Sequence, residues 1–538
     1  MKKLIAKSIA LAVSGMLLGG CAGQREQSIQ ELQTENAVSQ SASLEQGTSE
    51  NAVSEKEDSE SEFMKKEDIE NTVLQIEDIE NEVTESIVPT IVITKENKKW
   101  YTEDGEQLYY ASADRVEVSG DGFEALNAVL SEQWGGLRDN YDMVEFLCEK
   151  YESLRERYGS FVNFGINEGA VVCRLDDCVA SFCGVYDEYG GGSHGYYGYN
   201  GATFDVQSGK KLQLEDLLND AEGFYDKAIS YILEKLEENY ENMLYSDYEE
   251  AVETKTFGGE TPACWYLDGT GIVIRYNLYS IATYASGTQK VTLPYDEFAE
   301  YIKEDYRKPC SSLVASVGVN EDFSGLIGET GRVMLISSVP SNGHSEVTVV
   351  SGDARETVGK VTFVTESYVI KHEDGRSFLV FYGESDHWAT YVYEITGGNV
   401  RKCDELDGAE WNGACTGTNR IGLSMNLDVL GTYTGEMVYQ LTDDGKLIQT
   451  EEIFAVDTSQ KLTLRKDLPV TIDGEETTIP AGSEIQITGT DNAGKACFQM
   501  DADIGKTGLI QYVRDAQGKI LIDGVSETEY FEKVPYSR

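Results

Sequence analysis

Of the four histidines in the chain, His194 has the setting most suggestive of chemistry. It follows Gly190-Gly191-Gly192-Ser193 and precedes Gly195, so the backbone around its imidazole can take conformations closed to residues with a Cβ. An imidazole there could serve as a general base, a metal ligand or a contact for a bound molecule. A base needs a partner within hydrogen-bond reach and a substrate pocket, and the sequence displays neither. Ser193 forms no dyad with it, because adjacent side chains on an extended strand point apart. The reading adopted is a structural imidazole that hydrogen-bonds its own glycine-rich loop, with ligand contact beside it as the alternative and no catalytic residue assigned. Tyr186, Tyr189, Tyr196, Tyr197 and Tyr199 crowd the same region. They read as cross-strand packing or as an exposed aromatic surface for a protein or glycan. The ligand-binding set is accordingly His194, Ser193, Tyr189, Tyr196 and Tyr197.

Other groups with chemical capacity read as structural. Asp205 and Asp216 stand where a turn and a helix cap would need them. Cys173, Cys178 and Cys183 look like a metal cluster, but there is no CxxC anywhere. If Asp176-Asp177 turns a hairpin, Cys178 and Cys183 share a strand at an odd offset and face opposite ways. The cysteines after Cys21 read as buried, mostly reduced thiols. The acidic residues near His372 and His387 are too loosely arranged for a metal site. Trp388 and Trp411 could stack on a glycan, but scattered tryptophans are more often core. Neither metal nor cofactor is expected.

The elements that would position the loop can be read on either side of it. Strands are expected near Val162–Arg174 and Cys178–Asp187, and an aromatic strand over Tyr196–Phe204. Then come Asp205, a Ser208-Gly209 turn, alternating Leu212 and Leu214, and Asp216-Leu217-Leu218 leading into a helix. That helix carries the stripe Tyr225, Ala228, Ile229, Ile232, Leu236 and Tyr240. A strand through Gly271–Tyr279 and another at Val291–Leu293 follow, and Pro294 opens a last helix containing Phe298 and Ile302. Upstream, Trp100-Tyr101, an Asp104-Gly105 turn and Leu108–Val118 form a hairpin. Helices follow on Phe123, Leu126, Val129 and Leu130 and on Tyr141, Val144, Leu147, Tyr151 and Leu154. Residues 96–306 are therefore an α+β domain, a mixed or antiparallel sheet with packed helices.

Past this domain the sequence turns β-rich. Asp374-Gly375, Gly397-Gly398, Asp444-Gly445 and Asp473-Gly474 punctuate short apolar runs. Residues 307–460 form an all-β region, and 461–538 a smaller one whose rhythm resembles an SH3-like barrel. Acidic residues outnumber basic ones 95 to 44, for a net charge of −51. That excludes nucleic acid as a partner and favours a soluble surface or a basic protein partner. At the start, Lys2, Lys3 and Lys7 precede a short apolar run, Ile9–Leu18. Leu18-Gly19-Gly20-Cys21 resembles the lipobox of bacterial lipoproteins. It implies that 1–20 is a cleaved signal and that Cys21 carries a lipid anchoring the chain to the outer face of the cell membrane. Residues 21–95 are acidic, Ser- and Glu-rich and repetitive, a disordered tether.

The blocks around His194 resemble a bacterial extracytoplasmic domain, domain-of-unknown-function family 3298. They are Gly191-Gly192-Ser193-His194-Gly195, Phe204-Asp205, Ser208-Gly209-Lys210, Leu212, Leu214 and Asp216-Leu217-Leu218. Gly271-Ile272-Val273-Ile274, Tyr279-Ser280-Ile281-Ala282, Tyr284-Ala285, Gly287 and Val291–Tyr295 agree. About 98–182 resembles the partner module numbered 4163. The resemblance implies an α+β domain outside the membrane. Members include a lysozyme-binding anti-sigma factor and the non-catalytic part of a peptidoglycan deacetylase. This chain departs from both, lacking a cytoplasmic anti-sigma segment beside its lipobox and lacking HxxxH, and Ser193 replaces the usual alanine. The function expected is a non-catalytic surface lipoprotein that binds a protein or cell-wall ligand, a basic lysozyme-like protein being the sharpest form. The alternatives are a peptidoglycan- or glycan-modifying enzyme and a passive envelope scaffold.

Overall fold

The computed structural model describes residues 88–538 except 102–106, 139–140, 142–143, 148–152, 154–163, 191–193, 260, 339–343, 362, 385–387, 457–460, 501–506 and 537–538. Cys21, the lipobox and most of the tether lie outside the described residues, as do Gly191, Gly192, Ser193, Cys148 and His387. The first strand, β1 (Thr90–Tyr101), starts within the stretch expected to be tether. Its opening run, Thr90-Ile91-Val92-Ile93-Thr94, is β-branched throughout, which suits a pleated, half-buried surface. It pairs antiparallel with β2 (Gln107–Ser119), and α1 (Glu124–Gln133) buries Leu126 and Leu130 behind the hairpin.

Three long strands carry the loop of interest: β3 (Phe164–Leu175), β4 (Val179–Tyr189) and β5 (Tyr196–Asp205). The β3–β4 turn falls at Asp176-Asp177, where the Asp176 carboxylate accepts the backbone N–H groups of Cys178 and Val179 at 2.8 Å each. Next come α2 (Ala221–Tyr240), α3 (Tyr248–Lys255) and a three-stranded sheet of β6 (Cys264–Leu267), β7 (Gly271–Tyr276) and β8 (Gln289–Pro294). Asp220 caps α2 through Gly223 N at 3.1 Å, and Phe224, Ala228, Ile232 and Leu236, one turn apart, form its buried face. The expected helix after Pro294 is instead a run of turns, with isolated bonds such as Ile302 N to Phe298 O. Phe298 and Ile302 are fully buried all the same, so packing holds the segment without a continuous ladder.

The chain then adds β9 (Leu313–Ser316), a sheet of β10 (Val333–Ser337), β11 (Ser345–Ser351) and β12 (Ala354–Val361), and the strands β13 (Phe363–Lys371), β14 (Ser377–Glu384), β15 (Trp388–Glu394) and β16 (Arg401–Asp407). Strands from both sides of residue 306 join in one ten-stranded mixed sheet, β1-β2-β3-β9-β13-β14-β15-β16, with β4 and β5 continuing from β3. Among the described residues only β2 and β3 pair in parallel within it. Its middle is buried on both faces. Along β14, Phe378, Val380 and Tyr382 enter one core while Leu379 and Phe381 enter the other. One core is closed by α2, β6–β8 and β10–β12, the other by α1 and the C-terminal strands. That is why β14 reads as a continuous apolar run rather than an alternating one.

From Ala409 onward the chain is almost entirely β. The four glycine turns expected there and in the preceding sheet are present, with Gly375, Gly397, Gly445 and Gly474 all at positive φ. Correcting the expectation of an SH3-like barrel, the described strands after Lys461 do not close on themselves. Glu484–Thr490 pairs with Phe454–Val456, so the last strands continue an eleven-stranded sheet begun at Ala409–Gly417. An edge that finds a partner in the preceding strands has no reason to curl shut.

Candidate functional site

The motif residues after the loop are committed to building a corner. Phe204 is buried against Trp134 and Phe182. Asp205 Oδ1 accepts from Ser208 N at 2.7 Å and Ser208 Oγ at 2.6 Å, and Gly209 closes the turn at φ +66°. A Cβ on Gly209 would lie 2.5 Å from Ala125 O, so this glycine also lets the turn seat on α1. Lys210 Nζ reaches Asp216 Oδ1 at 2.8 Å, while Asp216 Oδ2 accepts Gln213 N at 2.8 Å as a capping box for Leu214–Leu217. Lys210 and the Gln213 N–H both hold the Asp216 carboxyl below the usual range. Asp205, Ser208, Lys210 and Asp216 thus spend their polar groups on the corner itself.

His194 is different. Its ring is exposed, and Nδ1 lies 2.9 Å from the carbonyl of Gly195. A carbonyl can only accept, so Nδ1 carries the proton and Nε2 of the neutral ring offers a lone pair. Nε2 faces the Tyr279 hydroxyl at 3.4 Å, and the ring stacks on Tyr284 with centroids 3.8 Å apart. Gly195 is needed for the approach, since a Cβ there would sit 2.9 Å from Glu188 O. The sequence expectation of an imidazole tied to its own loop is thus half of the arrangement. The other half comes from the β7–β8 connection.

That connection is held by backbone mimicry. Asn277 Oδ1 accepts Tyr199 N at 2.8 Å and Asn277 Nδ2 donates to Tyr199 O at 2.9 Å, as a neighbouring strand would. The Ser280 N–H returns to Asn277 O at 3.1 Å, which places Tyr279 at the third position of the turn with φ +64°. A turn of that hand asks for glycine or asparagine there, and a tyrosine costs roughly 1–3 kcal/mol. Tyr245 N to Ile281 O and Ser286 Oγ to Met243 O fasten the loop to the segment after α2.

The result is an aromatic face. Tyr284 lies between His194 and Tyr197, Tyr197 meets Tyr199 edge-on, and Arg275 lies 3.7 Å beneath the Tyr199 ring. Burial beside Tyr199 and Tyr284 raises the Tyr197 phenol above its usual range. Tyr279, Tyr196 and Met243, three of the seven exposed large apolar side chains of the described residues, belong to this neighbourhood. Of the expected ligand-binding set, His194 and Tyr197 share the face. Tyr196 stands exposed on the same strand, toward Tyr186. Tyr189 turns away to stack on Phe164. Tyr279, Tyr284 and Asn277 were missed as site residues, although Tyr279-Ser280-Ile281-Ala282 and Tyr284-Ala285 were among the blocks that carried the family resemblance.

The other constellations are internal. Arg174 and Asp176 are wholly buried and joined at 2.6 Å, and Arg174 also donates to Tyr295 Oη and Tyr306 O. Asp176, Asp177 and Cys310 come within metal-binding distance of one another, but the Asp176 carboxylate is already occupied by Arg174 and two backbone N–H groups. Cys173 and Cys183 share one small apolar cluster while Cys178 packs in another, the opposite facing expected from their spacing.

Residues 215–296 match the family model described as protein of unknown function (DUF3298). The match begins at Glu215, just before the Asp216-Leu217-Leu218 block, and takes in the Tyr279–Tyr284 loop. Among solved structures, a DUF3298 family member from Bacteroides fragilis NCTC 9343 is similar at 17% identity, covering 40% of this chain and 94% of its own, with a TM-score of 0.31. A DUF3298 family protein from Pseudomonas aeruginosa PAO1 is similar at 16% identity, covering 40% and 96%, with a TM-score of 0.30. No curated protein matches.

Proposed function

We propose that this chain, a carrier of a DUF3298 domain, is a non-catalytic binding protein of the bacterial surface, lipid-anchored through Cys21, that takes a protein or cell-wall ligand on the His194–Tyr279–Tyr284 face. The observation that carries the reading is Tyr279. Folding accepts a strained tyrosine at an exposed turn, where glycine would relieve the strain and give up only the surface contacts with His194 and Tyr284. Such strain is retained where the side chain has work to do outside the fold. Tyrosine suits that work, offering large contact area at low entropic cost and a hydroxyl for orientation. The acid excess of the chain favours a basic partner, of which a lysozyme-like protein is the sharpest form.

The test is a calorimetric titration of lysozyme and of soluble muropeptides against the wild-type chain and the Tyr279→Gly and Tyr284→Ala variants. The true ligand should lose at least about tenfold in affinity with each variant, and a basic protein should also weaken steeply with added salt. A ligand bound equally by all three proteins would remove the face from the reading. The anchor is tested separately. Cys21→Ala should move the chain from the membrane fraction to the soluble one, and unchanged fractionation would refute lipidation at Cys21.

A further inference from the structure

A second cleft lies far along the chain from the aromatic face, on the outer side of the β10–β12 sheet. Register places Met334, Val350 and Arg355 side by side across the three strands, with Ile336 one pleat further along β10. The inner side of the same sheet, Val333, Leu335, Val347 and Val349, is fully buried, and Val350 on the outer side is covered as well, so half-buried Met334 and Ile336 and exposed Arg355 are what the outer row offers to solvent. The cleft encloses about 670 Å³.

Glycines shape its end wall. A Cβ on Gly331 would lie 2.7 Å from the Cα of Gly352, and one on Gly352 would lie 3.5 Å from the Cα of Gly398, so bare backbone closes the cleft. Glu329 Oε1 accepts the Gly397 N–H at 2.7 Å and Ser351 Oγ donates to Ile395 O at 3.0 Å, which fix the 397–398 turn against β11. The wall therefore stands ready-made.

The charges are the informative part. The chain carries more than two acidic residues for each basic one, yet Arg332 and Arg355 both line this cleft. Among the described residues Arg355 makes no ion pair, and the nearest carboxylate to Arg332 is Asp322 at 3.8 Å. Guanidinium groups recognise carboxylates through paired parallel hydrogen bonds. Beside them half-buried Met334 and Ile336 favour apolar contact, and exposed Asp353 lines the cleft as an acceptor for an ammonium or amide N–H.

We propose that this cleft binds a short peptide with small apolar side chains and a free C-terminal carboxylate, the carboxylate on Arg355 and Arg332 and the side chains on Met334 and Ile336. The inference is independent of the His194 face. An inorganic anion would use the arginines but leave Met334 and Ile336 bare.

The experiment is a heteronuclear NMR or calorimetric titration of the full chain with trialanine, trialanine C-terminal amide and inorganic phosphate. Trialanine should bind, its amide should bind at least about tenfold more weakly, and phosphate should bind more weakly than trialanine. Arg355→Gln, at an exposed strand position, should reproduce the amide's loss with the wild-type circular dichroism spectrum retained. Arg332→Gln, which alters an exposed side chain and keeps the backbone bond from Gly352 N to residue 332 O, is the second variant should the first misfold. Equal binding of trialanine and its amide, phosphate binding as tight as the peptide, or no binding of any of the three would each overturn the proposal.

Discussion

Replacing Asp176 by Asn tests what holds the loop-bearing hairpin to the rest of the fold. Arg174 and Asp176 side chains are 0% exposed, and Asp176 Oδ2 receives Arg174 Nε at 2.6 Å. Its other oxygen receives two backbone N–H groups, which an Asn Oδ1 could still accept. The substitution thus leaves the turn's hydrogen bonds nearly intact and removes the counter-charge. The guanidinium would keep only neutral acceptors, Tyr295 Oη at 2.8 Å and Tyr306 O at 2.6 Å. Breaking a buried pair on one side costs about 3–5 kcal/mol, several times the at most about 1 kcal/mol of an exposed pair. Urea unfolding of Asp176→Asn at neutral pH, followed by fluorescence, should show that loss. The double variant Arg174→Met/Asp176→Asn should recover most of it, because no unpaired charge remains inside. A loss below about 1 kcal/mol, or a double variant worse than the single one, would refute the view that charge compensation is what matters here.

Other outcomes follow from the same geometry. Thr270 Oγ1 lies 2.7 Å from both Asp268 Oδ1 and Glu321 Oε2, one hydroxyl proton between two carboxyls. Burial first, then the Glu321 charge, pushes the Asp268 carboxyl up to about 6 from its ordinary 3.8. The folded state therefore holds its proton after the unfolded state has released it, and stability should fall by about 3 kcal/mol as pH rises from about 4 to about 6. Urea midpoints of wild type and Asp268→Asn across that range check it, since the variant should lack the Asp268 component of the fall. Gly209→Ala places a Cβ 2.5 Å from Ala125 O at φ +66° and should cost at least about 1–2 kcal/mol in the same assay. A neutral effect would mean the corner yields more readily than its close approach to α1 implies.

The architecture around the site was legible wherever one periodicity or one turn decided it. The Tyr196–Phe204 strand, the α2 stripe, the Asp176-Asp177 turn and the four glycine turns depend on local rules and occur where expected. Phe298 and Ile302 show the limit. Their spacing matches a helix, but burial alone satisfies them in a chain of turns. Likewise the rhythm after Lys461 suggested a closed barrel, whereas the strand at Glu484–Thr490 pairs with one that precedes that stretch.

The acid excess and the committed turn chemistry of Asp205, Gly209, Lys210 and Asp216 follow from the sequence alone. These rest on residue type and on neighbours within a few positions. Only the tertiary structure decided which histidine contacts exist, because the rings that meet His194 come from Tyr279 and Tyr284, some 85 and 90 positions away. It likewise decided that Val350 stands between Arg355 and Met334, by strand register. Contacts of that separation arise from how sheets pair and pack, and period-two alternation names a face without naming what will stand against it.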